Sequence, residues 1–186
     1  MTLKEIKRKV LQLIEEIDDT EETLTSDPDI GAKLNSVINQ VQYELARVKK
    51  IPANTEEEVT ADEMFDMNNL DNFYQLKLLR FKNVLGEDSS YEVVDNMVIF
   101  SEDGTATFFY YKYPELITAA TKDSYEFELA QDVLEILPYG VAADLLKSDV
   151  STQYGAIYSQ RYETMLQRLD SRMSVGSIFV EGGVDI

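Results

Sequence analysis

The chain has 186 residues, of which 35 are Asp or Glu and 17 are Lys or Arg, giving a formal net charge of -18, and it contains neither cysteine nor histidine. Without cysteine there are no disulfides and no thiol chemistry, and without histidine the commonest general base and metal ligand is missing. The acidity opposes nucleic-acid binding, which depends on clustered Lys and Arg to displace counterions from phosphates.

A chain of this length fits one domain, or one compact domain with arms, and buries roughly 70% of its unfolded surface. No apolar run approaches the ~18 to 20 residues of a membrane span. The start, "MTLKEIKRKVLQLIEEIDD", is too charged and too periodic for a signal peptide. A soluble, intracellular protein with no membrane association is the expectation.

In chain order, Leu3, Ile6, Val10, Leu13, Ile14 and Ile17 recur at spacings of three and four, which predicts an amphipathic helix over 2–19. "DDTEETLTSD" is a polar connector. Asp27 followed by Pro28 then reads as an N-cap and a first-turn proline. The stripe Ile30, Leu34, Val37, Ile38, Val41, Leu45 and Val48 extends this second helix over 28–49, to stop before Pro52. Packing of both stripes into one intramolecular core is expected.

From Ile51 to Asn72 there are seven acidic residues and no Lys or Arg. This composition predicts a solvated acidic arm over 51–72, with Glu56, Glu57, Glu58, Asp62, Glu63 and Asp66 as candidates to line an acidic surface or channel. Asp62, Glu63, Asp66, Asn68 and Asp71 offer oxygen ligands, but the spacing lacks the alternating acids, glycine and distal glutamate of a calcium loop. No metal, no cofactor and no catalytic residue is assigned.

A β region is predicted over 73–113. "FYQLKLLRFKNVL" alternates in part, "GEDSS" is turn chemistry and "YEVV" resumes a strand. Around Asp103-Gly104, a pair favoured in two-residue hairpins, the register would set Phe100 opposite Thr107, Val98 opposite Phe109, Ile99 opposite Phe108 and Met97 opposite Tyr110. Both faces of that ribbon are apolar, so one is expected to meet further protein, with Phe108 and Tyr110 as candidate contact residues. Pro114 ends it.

Pro138 suits the first turn of a helix over 138–148, in which Gly140, Ala142 and Ala143 leave a thin face for close backbone approach. A tyrosine-rich helix over 151–171 follows. Pro138, Tyr139, Gly140, Tyr158 and Tyr162 are the candidate subunit-interface residues on this hairpin. Past Arg172, Val175, Ile178, Phe179 and Val180 stand among glycines in a tail of 14 residues, 173–186. Such a tail reaches roughly 45 Å if extended, and its composition suits an arm that docks on another protein.

Two helices, an acidic segment, "FYQLKLLRFKNV", "FFYYKYPELIT" and above all "LPYGVAADLLKSDVSTQYGAIYSQRYETMLQRLD" together resemble the head-to-tail connector, or adaptor, proteins of tailed bacteriophages. The likeness covers most of 1–172 and is one of pattern. It implies a mainly α architecture with a β-hairpin or small antiparallel sheet (α+β), built as a single helical-bundle domain with an extended C-terminal arm. It also implies a non-enzymatic virion protein of the neck, assembled in the host cytoplasm as a ring, commonly twelve-fold. The ring's partners would be the portal and a tail or neck protein, the arm would lie along the portal, and DNA would pass through without specific binding. From residues alone, a second reading stays open: a non-enzymatic intracellular interaction or regulatory module that binds one partner through its C-terminal arm.

Overall fold

The computed structural model describes residues 1–20, 22, 24–147 and 153–170. Helix α1 (Leu3–Leu13) is opened by a capping box: the Glu5 N–H donates to the Thr2 hydroxyl, and the Thr2 N–H donates to the Glu5 carboxylate at 2.8 Å. These reciprocal bonds satisfy donors that the first turn would otherwise leave unpaired. The helix stops well short of 19, because Glu15 takes a left-handed φ of 60°. In helix α2 (Pro28–Val48) the Asp27 carboxylate accepts from the N–H groups of Asp29 and Ile30, at 2.8 and 3.2 Å. Leu34, Ile38, Val41 and Leu45 form its buried stripe.

Between α2 and the later helices the chain builds two three-stranded antiparallel sheets. Their strands are β1 (Ile51–Val59), β2 (Met64–Asp66), β3 (Phe73–Asn83), β4 (Tyr91–Val94), β5 (Met97–Phe100) and β6 (Gly104–Lys112). The orders are β1-β6-β3 and β2-β5-β4. The fold is α+β with a full β lobe, not the mainly α helical bundle expected.

The correction is sharpest over 51–72. Glu56, Glu57 and Glu58 belong to β1, paired with Thr107, Ala106 and Thr105 of β6. An edge strand holds its place through backbone hydrogen bonds and can carry charge on its wet side, where charge also discourages stray pairing. Only Ile51 and Val59, at its two ends, are buried.

The Asp103-Gly104 pair does not turn a hairpin either. β5 and β6 lie in different sheets, and Gly104 is inside the ladder, paired with both Val59 and Asn83. A Cβ there would stand 2.1 Å from the Lys82 carbonyl oxygen, so only glycine fits. The two-residue turn is instead Asp95-Asn96, which joins Val94 to Met97 with Asp95 at φ 54°. Val98 accordingly faces Val93 and Phe65, Phe100 faces Tyr91, Ile99 faces Glu92 and Met64, and Met97 faces Val94 and Asp66. None of the four expected cross-strand pairs exists.

The inner faces of the two sheets share a core of Leu79, Phe81, Val98, Phe100, Ala106 and Phe108. Phe65 stacks on Phe108 at 4.8 Å, and Phe100 meets the same ring edge-on at 6.5 Å. Both geometries suit the ring quadrupole.

After β6 the chain returns along α2. Ile117 is held by one side chain, since Asn39 Nδ2 donates to its carbonyl at 2.7 Å while its N–H donates to Asn39 Oδ1 at 2.8 Å. Gln42, fully buried, donates to the Glu115 carbonyl at 2.9 Å. The segment that follows β6 thereby has these backbone groups satisfied by side chains of a helix surface. Helices α3 (Gln131–Leu134), α4 (Leu137–Leu145) and α5 (Tyr154–Asp170) follow. α4 contacts α1, α2 and α5, and buries Leu137, Pro138, Gly140, Val141 and Ala142. A helix apolar on most sides belongs at the centre of its lobe.

The two lobes meet at one seam. Ile51 pairs with Lys112, so the chain enters and leaves the β lobe on neighbouring strands. Lys112 Nζ bonds Glu128 at 2.5 Å and Asp71 at 3.3 Å. Tyr113 stacks on Tyr43 of α2 at 5.5 Å and lies tilted against Tyr74 of β3 at 4.7 Å.

Candidate functional site

Pro138 supplies the first turn of α4, where its missing N–H costs no hydrogen bond. Two residues on, Gly140 sits where α2, α4 and α5 converge. A Cβ at Gly140 would lie 2.7 Å from Val41 Cγ1 and 2.8 Å from the Tyr162 ring. The thin face read from the sequence is therefore filled from within the chain. Tyr162 is buried in the same contact, and burial together with the nearby Glu44 carboxylate pushes its hydroxyl well above the ordinary tyrosine range.

Of the candidate subunit-interface residues, Phe108 and Tyr110 lie in the β core and Pro138, Gly140 and Tyr162 in the helical core. Tyr139 and Tyr158 are half-buried, with ring centroids 6.3 Å apart, and Tyr139 borders a groove. Its walls are Lys9 and Leu13 of α1, Pro138 and Tyr139 of α4, and Arg161 and Met165 of α5, around about 550 Å³. The Arg161 guanidinium lies over the Tyr139 ring at 4.3 Å. The Tyr158 hydroxyl donates to the Leu13 carbonyl at 2.7 Å, capping the C-terminal end of α1. Tyr154 and Ile157, half exposed on α5, continue the apolar character outward. A surface with aromatic rings, a stacked arginine and exposed aliphatic carbon has the composition of a protein contact site.

The acidic candidates disperse. Glu56 and Glu58 point outward from β1 and Glu57 is half-buried, while Asp62 and Glu63 are exposed in the β1–β2 connection. Asp66 has a local task, accepting the Asn68 N–H at 2.9 Å to start a single 3-10 turn, Met67–Asn69. Among the described residues no three carboxylates are grouped to hold a metal ion, and no helix is long and apolar enough to cross a membrane. Val175, Ile178, Phe179 and Val180 of the expected docking arm lie outside the described residues.

The resolved shifts in proton affinity belong to caps, ion pairs and core hydroxyls. The hydrogen bond from Lys49 holds the Asp132 carboxyl below its usual range, and burial pushes the Tyr125 hydroxyl up to about 12. For Lys112, burial opposes the charge, but Glu128 and Asp71 more than offset it and leave the amine more basic than usual.

The sequence reading missed one surface, the outward face of the β1-β6-β3 sheet, where Phe109 and Tyr111 stand among Lys50, Lys77 and Arg80. The signal lay in three cations, Lys77, Arg80 and Lys82, closely spaced in a single strand of an acidic chain. No protein-family model matches the chain, and no curated protein matches it significantly.

Proposed function

We propose that this chain is a structural virion protein, a head-to-tail connector that forms a ring beneath the portal and joins capsid to tail. The observation that carries the reading is the α4–α5 hairpin, whose pattern from Leu137 to Leu169 resembles such adaptors. Its outer surface leaves Tyr154 and Ile157 half exposed beside the Tyr139–Arg161 groove. Apolar residues beside an aromatic groove suit a neighbouring subunit. A ring needs such a heterologous contact, in which one patch meets a different patch on the next copy until rotation closes it. The net charge of -18 supports the same reading, since DNA passing through a neck must not adhere to its wall. Partners are the portal and a tail or neck protein, and the site of action is the virion neck after assembly in the host cytoplasm.

The test is an affinity pull-down from phage-producing cells with the full chain and with a version ending at Arg172, read by mass spectrometry. Recovery of portal and tail proteins by the full chain, lost on truncation, supports both the connector reading and the docking arm. Recovery of host proteins alone, or of nothing, sinks it and favours a regulatory module.

A further inference from the structure

The sheet β1-β6-β3 turns one face to the β core and the other outward. Along β6 the outward residues are Thr105, Thr107, Phe109 and Tyr111, all half-buried. A soluble sheet face is ordinarily polar here, so two aromatic rings in the central strand stand out.

Two bulges in β3 shape this face. The register shifts between Phe73 and Gln75 and again between Leu76 and Leu78, which makes Tyr74 and Lys77 the extra residues. A bulge re-aims the side chain it inserts. Both inserted side chains arrive at the same aromatic surface: Lys77 Nζ lies 5.9 Å from the Tyr111 ring, and Tyr74 lies 5.8 Å from Lys50 Nζ. Lys50 also approaches Tyr111 at 4.9 Å, and the Arg80 guanidinium covers Phe109 at 5.6 Å.

Charge adds a second, independent argument. Among the described residues no carboxylate forms an ion pair with Lys50, Lys77, Arg80 or Lys82, although acids outnumber cations two to one in the chain. Lys50 Nζ donates to the neutral Gln75 Oε1 at 2.6 Å, and cations without a carboxylate partner beside aromatic carbon complement an anionic ligand that also brings apolar groups.

We propose that this face docks an acidic polypeptide segment of a partner protein, whose carboxylates pair with Lys77, Arg80 and Lys50 while its apolar side chains pack against the ring edges of Phe109 and Tyr111 and the aliphatic stems of those cations. Protein is favoured over nucleic acid by two features. The rings already carry cations on their faces, which leaves no open platform for stacking bases. Glu56 and Glu58 also stand across β6 from Arg80 and Lys82, as the opposite bank of a shallow groove over Thr105, Thr107 and Phe109, where they repel a continuous phosphate backbone. A peptide can direct its acids to one bank only. The inference is independent of the connector reading, because it uses none of the helical lobe.

The experiment is fluorescence anisotropy of a labelled peptide of alternating glutamate and tyrosine, titrated with the full chain at low salt. Saturable binding that weakens with added salt is expected. Joint Lys77→Glu and Arg80→Glu substitution should weaken it by about tenfold or more, since both side chains are exposed and the fold does not depend on them. Tyr111→Ala should weaken it severalfold without changing its salt dependence. Lys33→Glu with Lys122→Glu, an equal charge change on exposed residues of the helical lobe, should leave it unaltered. Absence of saturable binding, equal loss in both charge-reversal pairs, or tighter binding of a single-stranded DNA of equal charge would each overturn the proposal.

Discussion

Gly140 decides how closely three helices can approach. Alanine in its place gains about 1 kcal/mol of helix propensity, but its methyl group would press on Val41 and the Tyr162 ring, an overpacking cost of about 1–3 kcal/mol. A net loss of about 1 kcal/mol is expected in urea denaturation, and Gly140→Leu should disrupt the monomer itself instead of acting on assembly alone. Tyr125 gives a different prediction. Its hydroxyl is buried without a hydrogen-bond partner among the described residues, and burial, followed by the charges of Glu128 and Glu115, raises it to about 12. Between roughly pH 10 and this folded value the unfolded chain releases the proton while the folded chain keeps it, so stability falls as pH rises through that window. Tyr125→Phe should flatten this alkaline decline in thermal melts and leave stability at neutral pH unchanged or slightly higher.

At the level of elements, Asn39 is the clamp that fixes the return of the chain from the β lobe. Asn39→Ala strands the N–H and carbonyl of buried Ile117 and should cost about 2–3 kcal/mol, with faster amide exchange at Ile117 as the local signature. The helices were readable because apolar spacing and caps are local: Asp27-Pro28 opens α2 in the sequence as in the structure. β1 was not readable in this way. Its burial lies only at Ile51 and Val59, and the charges between them hide a strand whose stability comes from β6, some fifty residues away in sequence. The misread turn has an equally physical cause. Asp103-Gly104 has turn chemistry, yet Gly104 is required for the missing side chain that lets the Lys82 carbonyl approach, a demand set by tertiary contact. The candidate interface divided for a related reason: aromatic residues such as Phe108, Tyr110, Tyr158 and Tyr162 suit a core and a partner surface equally well, and only packing separates them.

For the molecule as a whole, the β lobe is spliced into the helical lobe between α2 and α3, and the splice is a single antiparallel pair, Ile51 with Lys112. The mechanical consequence is directional. A force drawing the lobes apart is divided between two adjacent tethers, moves β1 and β6 together and loads the ladder of β6 against β3 in shear, so many hydrogen bonds resist together. A force spreading the two tethers sideways opens the β1–β6 ladder one bond at a time, beginning beside Lys112 and its bonds to Asp71 and Glu128. The seam is thus stiff to pulling and soft to prying, and the Lys112 cluster is the latch at the end where prying would start.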